Sequence, residues 1–315
     1  MRMASNTQKH RIVTLIPSAT EMVCALGLEN QLVGRSHECD FPPSVTHLPI
    51  CTEPKFEVNG TSHEIDTRVK NLLGNALSVY RVFPDVLQDL QPDVIVTQTQ
   101  CGVCAANLQD VELALDSWLG KRPAIISLQT TDLSGVWNDL QAVALTLKQE
   151  TQGQKVLNSL QTRMQAITQH ANSLNHSPRV ACIEWMDPLM AAGNWVPELV
   201  EMAGGSSLFG KAGLHAPWIT WEALLQADPD IILVLPCGFS LSQIQEHFHT
   251  LTSNPEWNQL RAVQMRQVYA TDGNQYFNRP GPRLVDSLEI LAEIFHPQIF
   301  NFHHQGTGWV QVLPK

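Results

Sequence analysis

No stretch of this chain is apolar for long enough to cross a bilayer, so no membrane span is expected. Basic residues are few: 20 Lys and Arg against 30 Asp and Glu leave a formal net charge of −10. A surface of that sign repels phosphates, and no basic or basic-aromatic patch offsets it, so no nucleic-acid partner is expected. The glycine-rich fingerprints of dinucleotide and phosphate loops are both missing, which disfavours phosphate-loop chemistry. No Gly-x-Ser-x-Gly elbow occurs, and no other nucleophile–base constellation replaces it, which weighs toward a binder over an enzyme. The seven cysteines are odd in number and fall mostly in or beside predicted strands, unlike a disulfide framework. Met1 to His10 is short and polar and leads directly into a strand, so a cytoplasmic protein with reduced thiols is expected.

What is present is an ordinary globular composition, 43% hydrophobic and 16% charged, in 315 residues, a length that predicts two lobes. The chain also repeats itself. Leu90-Gln91-Pro92-Asp93 runs into Val94–Val96 and then Cys101-Gly102; Ala227-Asp228-Pro229-Asp230 runs into Ile231–Val234 and then Cys237-Gly238. Each reads as a helix end, a Pro-Asp turn, a buried parallel strand and a loop at the strand's carboxyl end. Upstream, Pro17–Glu21 opens a helix closed by Gly27, and Trp195–Glu198 opens one closed by Gly204-Gly205. The first copy carries about 40 extra residues between its helix and its Pro-Asp turn.

These signals predict an α/β chain of two Rossmann-like lobes joined by a long helical connector, with a ligand cleft between them. The expected boundaries are 11–131 with an insertion at about 40–83, a connector at 132–176, a second lobe at 177–300 and an irregular tail at 301–315. In the connector, Val136, Leu140, Val143 and Leu147 form one stripe, Val156, Leu160, Met164 and Ile167 begin another, and Gly153 marks the junction. Ser18 with Glu21 three residues later predicts a capping box on the first helix.

Ligands of open α/β sheets bind beyond the carboxyl ends of the strands. The residues that follow predicted strands include Pro17, Ser18, His37, Gln100, Cys101, Glu184, Trp185, Cys237, Tyr276, Phe277 and Arg279, with Trp195 and Trp218 on second-lobe loops. Aromatic rings mixed with amides and charges suit a large, flat, partly apolar ligand. Cys101 and Cys104 have Cys-x-x-Cys spacing, and with His37 and Cys39 they form a candidate zinc or iron site. Glu184, Asp187 or a thiol is the candidate active group of an enzyme built on the same scaffold.

The opening Arg11–Glu21, the Pro-Asp strands, the connecting helix and Asn278-Arg279-Pro280-Gly281-Pro282-Arg283 resemble cobalamin-binding proteins of ABC uptake systems. That family belongs to the helical-backbone metal receptors, the class III periplasmic-binding-protein-like fold. The resemblance covers about residues 11–297. It implies non-catalytic binding of a cobalamin-like corrinoid or related metal-chelate, with delivery to an ABC permease. It further implies that Trp218 packs on the corrin, that Tyr276, Phe277 and Arg279 touch its edge, and that Pro17 and Ser18 form the first-lobe floor. Glu222 resembles the acidic knob that docks on permease arginines; in the first lobe Asp85 or Glu64 is the candidate.

Overall fold

The computed structural model describes residues 9–74, 78–99, 105–116 and 118–312. Contacts divide the chain into two compact units. The first comprises Met1–Val58, Thr67–Thr130 and Ser134–Asn158; the second comprises Asn59–Asp66, Thr131–Leu133 and Ser159–Lys315.

In the first unit β1 (Ile12–Thr14) and β2 (Leu32–Arg35) are followed by the antiparallel pair β3 (Thr52–Pro54) and β4 (Tyr80–Val82), then by β5 (Val94–Gln98) and β6 (Ala124–Leu128). Strands β2-β1-β5-β6 form a parallel sheet in that order. β1 and β5 are buried throughout, as their unbroken Ile/Val runs require of a doubly covered parallel sheet. Val13, Leu15, Ile95, Leu87 and Val111 form the core of this unit.

The second unit contains β7 (Arg179–Met186), β8 (Leu189–Ala191), β9 (Ser206–Ser207), β10 (Ile231–Val234), β11 (Val268–Thr271) and β12 (Trp309–Gln311). Its sheet runs β12-β11-β10-β7-β8, with β9 pairing parallel to β7. The parallel order β9-β7-β10-β11 therefore repeats β2-β1-β5-β6.

The repeat extends to single hydrogen bonds. Asp93 accepts the backbone N–H of Arg11 at 3.0 Å, and Asp230 accepts that of Arg179 at 2.7 Å. Gln91 (φ 41°) and Asp228 (φ 39°) both turn the chain through the left-handed region just before the Pro-Asp dipeptide. Each aspartate thus closes the amino-terminal edge of its sheet, holding Arg11 just before β1 or Arg179 at the start of β7. Gly27 and Gly204 end the matched helices Pro17–Ala25 and Val196–Met202 with positive φ, the conformation glycine adopts without a Cβ penalty.

Several expectations are corrected. The first helix starts at Pro17 with Ile16 as its N-cap, and no side chain caps it; the Ser18 hydroxyl is buried without a partner, so the Ser18–Glu21 capping box does not form. Proline supplies the preset φ for the first turn instead. Helix Leu108–Ala114 does have a reciprocal capping box, made by Asn107 and Asp110. The connector breaks at Lys148 (φ 56°), between helices Leu133–Thr146 and Glu150–Asn172, and not at Gly153. Gly153 lies inside the second helix because a Cβ there would stand 2.5 Å from the Cβ of Ala144. The stretch from 301 is not an irregular tail: β12 pairs antiparallel with β11, and Trp309 is buried.

Candidate functional site

In the first unit the residues after β1 and β2 gather at the carboxyl end of the sheet. Pro17 and Ser18 are buried in the first helical turn, and Thr14 shares a 2.7 Å hydrogen bond with Thr20. His37 is half-buried, with Nδ1 2.9 Å from the Thr52 hydroxyl and its ring 5.6 Å from that of Tyr80. Burial, reinforced by the Arg35 guanidinium, holds the His37 pKa below its ordinary value, so the ring is neutral near pH 7. Cys39 is fully buried; its sulfur lies 3.5 Å from the Ser36 hydroxyl, and desolvation pushes its pKa up. A protonated thiol packed in this way is a poor metal ligand as it stands.

Among the described residues no group of three or more His, Cys, Asp or Glu is arranged to hold a metal ion. Gln100, Cys101 and Cys104 lie outside the described residues. Asp85 is exposed in the first turn of helix Pro84–Leu90. The Glu64 carboxylate instead caps its own helix, accepting from the Thr61 backbone at 2.8 Å and hydroxyl at 3.0 Å.

In the second unit the loops after β7, β10 and β11 converge. The Cys237 N–H donates to the Glu184 carbonyl at 3.3 Å, and the Asn278 amide donates to the carbonyls of Leu235 and Gly273, both at 3.0 Å. Asp272 organises the loop that follows β11 by accepting the N–H groups of Asn274 (3.0 Å) and Gln275 (2.7 Å). Arg279 is buried and donates to the Asn274 side chain at 3.0 Å. Tyr276 is half-buried on this loop, with the Arg283 guanidinium over its ring at 5.5 Å.

Glu184 closes β7. Burial pushes its pKa up to about 7, against an N–H donated by Gly193 and the nearby His215. Trp185 packs edge-on against Phe239 at 5.7 Å, and its indole nitrogen is buried without a partner. Gly193 must be glycine, since a Cβ would come within 2.5 Å of the Ala216 nitrogen. That close approach lets segment 191–194 clasp the loop before Trp218, through Asn194 N–H to Leu214 (2.7 Å) and Ala191 N–H to Pro217 (2.9 Å). Trp218 itself is 55% exposed on this pinned loop.

The two tryptophans expected on second-lobe loops, Trp195 and Trp218, are alike in the sequence and different in the fold. Trp195 is buried and its indole N–H donates to the Phe277 carbonyl at 2.5 Å; Phe277 is fully buried with φ 57°. Those two rings tie the loop to helix Val196–Met202 and have no exposed face. Trp218 keeps more than half of its surface exposed, and Tyr276 is half-buried. Glu222 is exposed in the first turn of helix Trp221–Ala227, which Thr220 caps. Sequence reasoning missed Asp272 and the Arg283–Tyr276 contact as organisers of the loop. The Asp-Gly-Asn at 272–274 reads as a turn, but nothing local says what the turn holds.

The chain matches the sequence profile of the family described as periplasmic binding protein over residues 12–275. It is 25% identical over 292 residues to a vitamin B12-binding protein of Vibrio cholerae serotype O1, covering 89% of this chain and 86% of that protein. It is 21% identical over 298 residues to the uncharacterized ABC transporter substrate-binding lipoprotein YvrC of Bacillus subtilis, covering 92% and 81%. Among solved structures, the periplasmic heme-binding protein RhuT of Roseiflexus sp. RS-1 superposes with a TM-score of 0.68 at 21% identity, over 92% of this chain and 99% of that one. The periplasmic vitamin B12 binding protein BtuF of Vibrio cholerae gives a TM-score of 0.60 at 23% identity, over 91% and 96%.

Those relatives correct one expectation outright. Cytoplasmic residence was read from the amino terminus alone, whereas the relatives are periplasmic proteins or a lipoprotein of an ABC transporter. They are also ligand-binding proteins, so the metal-cluster and enzyme readings are not favoured. The α/β fold with its duplicated parallel sheets and the profile match lead to one conclusion: this chain belongs to the periplasmic binding protein family.

Proposed function

We propose that this chain binds a corrinoid, or a closely related metal-chelate, without catalysing a reaction on it, and hands it to an ABC permease. The observation that carries the reading is Trp218, a large ring left 55% exposed on a loop that backbone hydrogen bonds hold rigid. An exposed, pre-positioned aromatic face costs solvation in the free protein and regains it against a flat apolar ligand. Tyr276, half-buried on the loop that Arg279 holds, adds an edge with hydrogen-bonding capacity. The vitamin B12-binding relative, alignable over 292 residues, supports the corrinoid. The superposition on a heme-binding protein favours haem as the second reading.

Titration with cyanocobalamin, hydroxocobalamin and hemin, followed by absorbance and tryptophan fluorescence, tests both. Micromolar or tighter corrinoid binding is expected; binding of hemin alone would replace the corrinoid with haem, and binding of none would end the chelate reading. Zinc or iron held by His37, Cys39, Cys101 and Cys104 is the weaker proposal, and buried, protonated Cys39 counts against it.

The permease reading has its own support in the repeat. Asp85 and Glu222 each stand six positions before the left-handed residue, Gln91 or Asp228, that precedes the Pro-Asp turn. They are therefore equivalent acids, both exposed in a first helical turn. Replacing either by Lys should leave ligand affinity unchanged and reduce ligand uptake by cells that depend on this protein.

A further inference from the structure

The last helix, Leu284–Phe295, is buried almost throughout, yet it carries Asp286, Glu289 and Glu293. Buried carboxylates persist only with partners. Arg163, from helix Glu150–Asn172, donates to Asp286 at 3.0 Å and to Glu289 at 2.6 Å. Glu293 accepts the Trp309 indole N–H at 2.7 Å and the backbone N–H groups of Phe302 and His304. The second Glu289 oxygen meets His304 Nε2 at 2.9 Å. The His304 ring then stands edge-on to Tyr276 with centroids 6.1 Å apart, while Arg283 lies over the Tyr276 ring and donates to Gln275 at 2.7 Å.

We propose that His304 is a positioning residue for the 272–279 loop: held by Glu289, it sets the Tyr276 ring against Arg283 and so fixes the edge offered to the ligand. The ligand clause rests on the binding role read for Tyr276 above; the positioning itself does not. The segment from 301 to 312 is then a brace for the loop, which explains why it folds back as β12 and is not left free.

The brace depends on charge. The hydrogen bond to Glu289 raises the His304 pKa above its ordinary value against the opposing effect of burial. Glu289, Glu293 and Asp286 face His304 from the last helix, Arg163 stands behind Glu289, and Arg283 lies across the Tyr276 ring. Burial alone would raise Glu289, but hydrogen bonds from His304 and Arg163 bring it below its ordinary value. A histidine with a raised folded pKa contributes its hold in full at low pH and loses it as pH climbs through that value.

Hydrogen exchange of the 274–279 amides in the ligand-free protein, corrected for intrinsic rates, decides the matter. His304→Ala should speed exchange there by about tenfold, the effect of losing one charge-assisted hydrogen bond. His304→Gln, which keeps a donor toward Glu289, should restore most of the protection. The wild-type loop should loosen as pH rises, and the His304→Gln loop should not. Should His304→Ala fail to fold, the pH profiles of His304→Gln and Glu289→Gln make the same comparison. Unchanged exchange in the loop, or faster exchange spread evenly over the second unit with no rescue by Gln, overturns the proposal. A parallel cyanocobalamin titration keeps the two readings apart: failure of the wild type to bind ends the corrinoid reading, while the exchange data still decide the role of His304.

Discussion

Trp218 and Glu184 each sit in an environment that their type does not prefer. A tryptophan normally buries its ring, and Trp218 keeps more than half of its surface in water. Trp218→Ala should weaken chelate binding by about 1–3 kcal/mol, the order of one aromatic contact. Unchanged affinity in a folded variant would place the ring outside the site. Glu184 has the opposite problem, a carboxyl drawn out of water until its pKa stands at about 7. Its native form binds a proton more tightly than the unfolded chain, so its contribution to stability is complete at pH values below the ordinary glutamate range. That contribution is lost as pH rises toward and through 7. Glu184→Gln keeps an acceptor for the Gly193 N–H and removes the charge, so it should flatten the pH dependence of denaturant unfolding and stabilise the protein above neutrality. A steeper or unaltered profile would show that Glu184 ionises with water access. Trp195 differs from Trp218 only through packing, which no residue-level signal announces.

Among the elements, the Pro-Asp strand units were legible because their signals are local. A helix end, a proline that bars continuation, an aspartate and an all-apolar run follow one another within about ten residues, and the structure reproduces this in both units. The reason for the aspartate was not legible, since it binds Arg11 or Arg179, 82 and 51 positions away. Asp93→Ala and Asp230→Ala should each cost about 0.5–1.5 kcal/mol in urea unfolding, the net worth of one such hydrogen bond. The helical connector shows the reverse failure. Gly153 reads as a helix breaker by composition, yet it is a contact point: Ala144 leaves no room for a Cβ. Gly153→Val should destabilise by about 1–3 kcal/mol through overpacking, despite the gain in helix propensity, and a neutral result would mean the two helices separate freely.

For the whole molecule, duplication and net charge are properties of the entire chain. The parallel order of the first sheet recurs in the second, so one ancestral unit is enough to account for both. On the proposed docking through Asp85 and Glu222, the acidic balance, −10 overall, predicts that uptake weakens with added salt. A ligand that binds only the folded chain stabilises it by mass action. Cyanocobalamin at a hundred times its Kd should therefore add about 2.7 kcal/mol and raise Tm, with no shift if the corrinoid is not the ligand.

From its sequence alone this protein is readable as an α/β chain with a repeated strand unit, because strand runs, turn prolines and helix-closing glycines act within a few neighbouring residues. The carboxyl ends of those strands, and hence the short roster of candidate ligand contacts, follow from the same local pattern. Tertiary structure alone decided which of those residues keep a face in water, that Cys39 is sealed and protonated, and that His304 lies between Glu289 and the Tyr276 ring. Burial and partnership are set by residues such as Arg163 and Glu289, 126 positions apart, and no periodicity encodes a contact at that range.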